Sequence, residues 1–382
     1  MSTYRFDVEK IQSSRPADAA LIVSIILLAG VGMVTLFSAS SAFAERFFGS
    51  GTYFVQKQAT FGAVGLILMI IVSTIDIELI RRWIKPLILG SLFLCVLTFI
   101  PGIGLMKNGA ARWIKFGSFS YQPSELVKLA LPIYLAHFFA KKENRLDNVT
   151  TGVVPPAIIV SLFCLFFYLQ NNFSTAAFIG INSLAIFFLA GIKLRHFVMT
   201  AVVSIPLMLL MIFSKEYRIQ RLLSFMEPEK DLMGVGYQVH ASVVTLLSGG
   251  FWGKGLGRGT RKIASVPEVH SDFIFSAYGE EFGFFGVLLL FALFAFFAYR
   301  GLSAGIRSDD TFKRLLAFGL TLMIVSQALL NLAVVVGAVP ATGVTLPFFS
   351  AGGSSLATTL LMAGLLINIS RKTNEREAGN VR

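Results

Sequence analysis

SVPEVHSDFIFSAYGEEFGFFGVLLLFALFAFFAYR, residues 265–300, sets Glu268, His270, Asp272, Glu280 and Glu281 at the mouth of and inside an apolar run that continues to Tyr299. At about 1.5 Å per residue, the stretch 272–299 is long enough to cross the roughly 30 Å of a bilayer's hydrocarbon as one helix. The rest of the chain is of the same kind. Its 382 residues are 55% hydrophobic, with 37 Phe, and only 14% charged, whereas a soluble domain buries one core and keeps charge outside. The reading is an all-α polytopic membrane protein. Apolar runs of the spanning length fall at ten places, near 19–40, 53–73, 84–100, 121–140, 153–169, 174–191, 196–214, 272–299, 315–336 and 350–370.

Ala42-Phe43-Ala44 imitates a signal-peptidase site, but the apolar run before it is too long for a signal core and a polar stretch precedes it, so the first helix is expected to stay. Cys95 and Cys164 both fall within apolar runs, where they read as small packing residues and not as a disulfide framework.

Lys and Arg set the orientation, because cytoplasmic loops retain them. The N-terminal tail, Arg81 with Arg82 and Lys85, Lys141 with Lys142 and Arg145, Lys193 with Arg195, the 300–314 loop and the C-terminal tail all fall on one side. Residues 1–18 and 371–382 are therefore expected as cytoplasmic tails around a transmembrane domain, 19–370. The net charge of +12 follows from this topology signal and from attraction to anionic membrane lipid, and excludes a nucleic-acid-binding reading. Two outward connections are also basic. Lys107, Arg112 and Lys115 lie between the third and fourth helices, and Lys215 to Lys262 decorate the large extracytoplasmic loop 215–271 between helices 7 and 8. Connections of that length are functional or disordered. With Gly236-Tyr237-Gln238 and the glycine-dense GGFWGKGLGRGTRK (249–262), this one is expected to form a partly ordered cap on the outer face.

Ionisable residues within spans are costly unless paired or wetted, which makes each a functional candidate. Glu125 and Lys128 sit three apart on one helix and can pair on a shared face, as a substrate site or as a structural ion pair. Their helix is expected to start at Pro123, whose missing amide suits a first turn. Glu280 and Glu281 are adjacent, about 100° apart around a helix, so one of them is expected to pack structurally. For His270, a hydrogen bond at the start of the helix is a plainer reading than a metal site, since four scattered histidines show no ligand spacing.

Three long stretches carry a resemblance: NGAARWIKFGSFSYQPSELVKLALPIYLA (108–136); GYQ, GKGLGRG and KIASVPEVHSDFIFSAYGEEFGFFG within 236–286; and NLAVVVGAVPATGVTLPFFSAGGSS (331–355). In this order they resemble the shape, elongation, division and sporulation (SEDS) family of ten-helix bacterial peptidoglycan polymerases, over about residues 20–370. FSASS (37–41) and ATGVTLPFFS are more similar to its division branch, FtsW, than to its elongation branch, RodA. Two places depart from the family pattern. Gln170-Asn171-Asn172 stands where Gln-Pro-Asp is usual, and Ser350-Ala351-Gly352-Gly353 where Ser-Tyr-Gly-Gly is usual.

The resemblance implies inverting glycosyl transfer in the inner membrane, in septal wall synthesis. A glycan on undecaprenyl pyrophosphate is the donor, and the 4-hydroxyl of lipid II attacks it. A sugar hydroxyl is a poor nucleophile and needs a nearby carboxylate to take its proton; Asp272 matches the family's proposed catalytic aspartate. Unlike a two-carboxylate glycosidase, such a site needs little acid catalysis and more positive charge, because a diphosphate already leaves readily. Arg112, Lys128 and Lys262 are candidates for that charge, and Glu125 for positioning substrate or Lys128. Gln238, His270, Glu281 and Ser354, inside the matching motifs, complete the substrate-binding candidates. A divalent metal, Mg2+ or Mn2+, at Asp272 stays open. Implied partners are lipid II, the nascent glycan strand, a class B penicillin-binding protein and other divisome proteins. A lipid II flippase, which would also use polar intramembrane residues and broken segments such as 337–353, and a non-catalytic divisome scaffold are the alternative classes.

Overall fold

The computed structural model describes residues 17–107, 109–117, 119–143, 146–226, 234–260 and 268–371. Each of the ten predicted segments holds a helix. Helix α1 (Ala19–Phe48) is started by Asp18, whose carboxylate accepts the Leu21 amide. It is followed by α2 (Tyr53–Thr74), the short α3 (Ile77–Arg82) and α4 (Ile84–Leu97). After a small sheet come α5 (Pro123–Lys141), α6 (Val154–Leu169), α7 (Phe173–Leu189) and α8 (Leu194–Phe213). Two helices not expected as separate elements, α9 (Glu216–Met226) and α10 (Val235–Leu247), precede the last three, α11 (Ile274–Ile306), α12 (Thr311–Val335) and α13 (Gly353–Ser370).

Six helices among the described residues are long and apolar enough to cross a membrane: α1, α2, α6 with the π-turn before it, α11, α12 and α13. Shorter apolar helices, α4 and α7, join them. Their outward faces carry Ile26, Ile67, Leu89, Leu288 and Leu289 in exposed positions, an apolar surface that only lipid can cover at this extent. The chain is a multi-pass membrane protein.

Helix α12 sits in the middle, packed against α5, α7, α11 and α13, and α5 is buried along most of its length. At one end of the bundle Arg300 pairs with Asp18 and Arg81 with Asp310, tying α11 to α1 and α3 to the α11–α12 connection.

Two features depart from the sequence reading. The first is a three-stranded antiparallel sheet in a chain expected to be all-α: β1 (Gly104–Lys107), β2 (Ala110–Phe116) and β3 (Phe119–Tyr121) in the order β1-β2-β3. Gly109 and Gly117, at φ 72° and 57°, lie in its two turns. Tyr121 is the last strand residue, and the helix of the fourth predicted segment begins at Pro123, as the missing amide of that residue predicts.

The second is a break in α11, where Gly283 has φ 65° and ψ −168°. A helix broken within a membrane must find new partners for its freed backbone groups, and the glycine-rich segment supplies them. The amides of Lys254 and Gly255 donate to the carbonyls of Glu280 and Glu281 at 3.0 Å each, while the Phe284 and Phe285 amides donate to Gly250 and Phe251 at 2.9 and 3.1 Å. The approach is close enough that a Cβ at Gly283 would lie 2.2 Å from the Gly253 nitrogen. Gly283→Ala would therefore suffer both a left-handed φ and a backbone clash. It is expected to separate the loop from the helix, read as loss of folded protein in detergent-extracted membranes; a wild-type yield and melting temperature would contradict this packing.

Candidate active site

Asp272 lies in the turn just before α11. Its half-buried carboxylate accepts the Ser271 hydroxyl at 3.0 Å, and its carbonyl takes the Asn331 side-chain amide at 2.8 Å. The same amide group donates to Val344 O at 2.8 Å, so one side chain of α12 holds the Asp272 turn and the 337–352 segment in fixed register. Gly343 faces Asp272 across this junction; a Cβ there would be 3.6 Å from Oδ2. Glu268, four residues earlier, has φ 53°, a strained conformation for a residue with a Cβ. Burial, and then the Glu268 charge, push the Asp272 carboxyl above the ordinary carboxylate range, against the Ser271 hydrogen bond and the opposing pull of Arg221 and Arg112.

Beside Asp272 opens a cavity of about 370 Å³ between α7, α8, α9, α12 and residues 339–342. One part of its wall is apolar, with Phe173, Phe178, Ile181, Leu222 and Leu330; another carries three guanidinium groups, Arg112, Arg218 and Arg221. No Asp or Glu is among the described lining residues. Arg112, on β2, donates to the carbonyl of Asn171, and burial together with the Arg221 charge draws it below its ordinary range. Arg221 donates to Ala341 O at 3.3 Å. Arg218 is buried over the rings of Tyr168 and Phe173, 4.6 and 5.3 Å from their centroids, and its Nη2 has no protein partner among the described residues. Three cations in a greasy wall, with no carboxylate among its described lining residues, are an arrangement chemically suited to an amphiphile with an anionic head.

The sequence reading gives Arg112 but neither Arg218 nor Arg221; their i, i+3 spacing on one short helix is the available signal, and it carries no weight while 215–271 is taken as a loop. Asn171, where the family pattern has proline, takes φ 57°, a backbone closed to proline, and thereby turns its carbonyl to Arg112 and, at 3.4 Å, to Tyr217. Asn172 is buried and accepts the Thr175 hydroxyl at 2.8 Å in the first turn of α7.

Glu125 and Lys128 pair at 2.8 Å inside the bundle, with both side chains buried. Lys128 also donates to Gln327 Oε1 at 2.9 Å; Gln327 donates at 2.9 Å to Thr345 O, and the Thr345 hydroxyl meets Ser355 at 3.2 Å. Gln327 and Asn331 are one turn apart on α12, so together they grip consecutive carbonyls of the 344–345 backbone. The ion pair thus reaches Asp272 through α12 without touching the cavity. Ser354 is buried in the first turn of α13, beside this network.

The remaining expectations lie elsewhere. Gln238 is half-buried on α10 and is not among the described residues of the cavity wall. His270 is buried between Phe43 and Phe54, with ring centroids at 5.2 and 4.3 Å, and its carbonyl accepts the Ala351 amide at 2.8 Å. Glu281 accepts the Ser38 hydroxyl at 2.5 Å and the Gly257 amide at 2.8 Å, while Glu280 takes Lys254 Nζ at 2.6 Å. Both carboxylates therefore hold the glycine-rich segment, because it wraps far enough around the helix to meet both directions. Lys262 lies outside the described residues. No group of three His, Cys, Asp or Glu side chains able to hold a metal occurs among the described residues.

Comparison with known proteins places this geometry. The profile of the cell cycle protein family FTSW_RODA_SPOVE matches residues 19–375. A "Probable peptidoglycan glycosyltransferase FtsW" of Geobacter sp. (strain M18) is 36% identical over 355 residues, 93% of this chain and 97% of the relative. Stage V sporulation protein E of Bacillus subtilis (strain 168) is 35% identical over 354 residues, again 93% and 97%. Among solved structures, a chain of a peptidoglycan synthase complex that coordinates polymerization and crosslinking superposes with a TM-score of 0.78 at 26% identity, covering 94% of this chain and 99% of that one. The rod shape determining protein RodA of Thermus thermophilus shares the fold, with a TM-score of 0.68 at 24% identity over 93% of this chain and 96% of that one.

Proposed function

The chain belongs to the FtsW, RodA and SpoVE family of cell cycle proteins, and from that premise we propose how it works as a peptidoglycan glycosyltransferase that polymerises glycan strands from lipid II. The observation that carries the reading is the half-buried Asp272 beside a cavity that pairs an apolar wall with three guanidinium groups. The cavity takes the diphosphate and the first isoprene units of the donor lipid, and the rest of the tail trails into the bilayer. Asp272 takes the proton of the acceptor 4-hydroxyl as that oxygen bonds to the donor's anomeric carbon. The carbon–oxygen bond to the diphosphate breaks in line, so the α-linked donor yields a β-linked strand. Charge building on the departing undecaprenyl diphosphate falls to Arg112, Arg218 and Arg221, in a wall dry enough to strengthen the attraction. Glu125 and Lys128 act at a distance, by holding Gln327 and through it the backbone opposite Asp272.

The chain crosses the inner membrane ten times with both termini in the cytoplasm, residues 215–271 lie outside, and the work is done at the division septum beside a class B penicillin-binding protein. The test is polymerisation of purified lipid II by the detergent-solubilised protein, with that partner present and its transpeptidase inactivated. Glycan strands are expected. A folded protein that makes none would overturn the polymerase and leave a flippase or a scaffold. In the same assay Arg112→Gln, which removes a charge-assisted contact to the diphosphate, is expected to raise the KM for lipid II about tenfold or more, as loss of about 1.5–3 kcal/mol implies; an unchanged KM would remove Arg112 from the headgroup site.

A further inference from the structure

The larger cavity has a neighbour. Between α9, α10 and the residues that follow α12 lies a second cavity of about 210 Å³. Phe225, Val239, Val243 and Val336 give it apolar walls, and Arg221 and His240 give it a polar side; it too has no Asp or Glu among its described lining residues. Among the described residues, Arg221 and Ala341 are the two that line both cavities, and they are joined by the 3.3 Å hydrogen bond from Arg221 Nη1 to Ala341 O. The partition at this point is therefore one guanidinium lying against one carbonyl. Asp272 is not among the described lining residues of either cavity, but its carboxyl is within electrostatic reach of Arg221 and faces Gly343, two residues beyond Ala341.

We infer that the smaller cavity binds the diphosphate end of a second polyprenyl lipid, so that Arg221 stands between the headgroups of two lipid-linked substrates held side by side. The inference rests on the polymerase reading, in which the donor and the acceptor each carry a diphosphate on the same kind of lipid. A site built for that reaction needs two amphipathic receptors within reach of one base, and the structure has two cavities of like lining that share Arg221, the guanidinium whose charge the Asp272 carboxyl feels. Arginine suits the shared position, since its planar group presents five donors and can serve anions on both sides at once. The unequal charge assigns the two. The donor diphosphate gains charge as it leaves and belongs with three arginines; the acceptor diphosphate is unchanged by the reaction and needs only to be held.

Native mass spectrometry of the purified protein with undecaprenyl diphosphate as the probe, and undecaprenol as the control for non-specific lipid, tests the count directly. Two diphosphate copies are expected on the wild type and one on Val243→Trp, which fills the smaller cavity, or on Ala177→Trp, which fills the larger. Kinetics then separate the roles, with a donor whose 4-hydroxyl is blocked and an acceptor whose anomeric link is a non-cleavable phosphonate. Val243→Trp is expected to raise the KM of the acceptor about tenfold or more and leave that of the donor unchanged, whereas Arg221→Gln raises both. A single copy on the wild type, two copies on a folded Val243→Trp, or equal shifts in both KM values on Val243→Trp would overturn the second site. Should Val243→Trp fail to fold, Val239→Phe and the wild-type count still decide. Two copies without polymerisation would keep the site and remove the polymerase, and strand synthesis with one copy would do the reverse.

Discussion

Asp272→Asn is expected to lower the turnover number of strand synthesis by about 100- to 10,000-fold, the span that a positioned general base contributes, with little change in the number of undecaprenyl diphosphate molecules bound. The amide keeps the shape of the side chain and can still meet the Ser271 hydroxyl, and the Asn331 contact is to the backbone of residue 272. What is lost is the capacity to accept a proton. Product equal to wild type from the folded variant would take Asp272 out of the mechanism.

The acid side of the pH profile gives an independent reading of the same group. The base works only when deprotonated, so turnover rises with pH through the Asp272 pKa. Burial and Glu268 raise that pKa, which puts the acid limb above the range of a free carboxylate. Removing a negative neighbour relieves the raised pKa, so Glu268→Gln is expected to move the limb to lower pH. Arg221 pulls the other way, and Arg221→Gln is expected to move it higher. A limb that stays in place in both variants would mean that another group sets it.

The helices were legible because a run of about 20 apolar residues has few other uses, and Asp272 was legible because charge at the start of such a run is costly. What the sequence hid has a common physical cause: partners supplied from far along the chain. The carboxylates of Glu280 and Glu281 read as intramembrane charges, yet their ligands come from residues 248–260 and from Ser38 on α1. The α11 break is a backbone conformation at one glycine, and Gly283 looks in sequence like its neighbour Gly286. Gln327 and Asn331, four apart within an apolar span, mark a polar stripe on α12 that an inventory of charged residues leaves out. Arg218 and Arg221 became a site only once α9 was folded against α7 and α12.

The second large effect is expected at the ion pair. Glu125→Ala leaves the Lys128 ammonium buried in the bundle with Gln327 as its one remaining hydrogen-bond partner among the described residues, and breaking a buried pair from one side costs about 3–5 kcal/mol. A fall of that size is expected in the stability of the detergent-solubilised protein. Removing both charges is a different experiment, because a buried pair exchanged for apolar side chains is often neutral or stabilising. Glu125→Ala with Lys128→Met is therefore expected to recover most of the stability. It is not expected to recover activity, because Gln327 Oε1 then has no donor and the amide that holds Thr345 O loses its orientation, two residues from the Gly343 that faces Asp272. The signature of that positioning role is a depressed kcat with an unchanged KM for lipid II. Full activity in the stable double variant would reduce the pair to packing, and a raised KM with normal kcat would put Lys128 on the substrate after all.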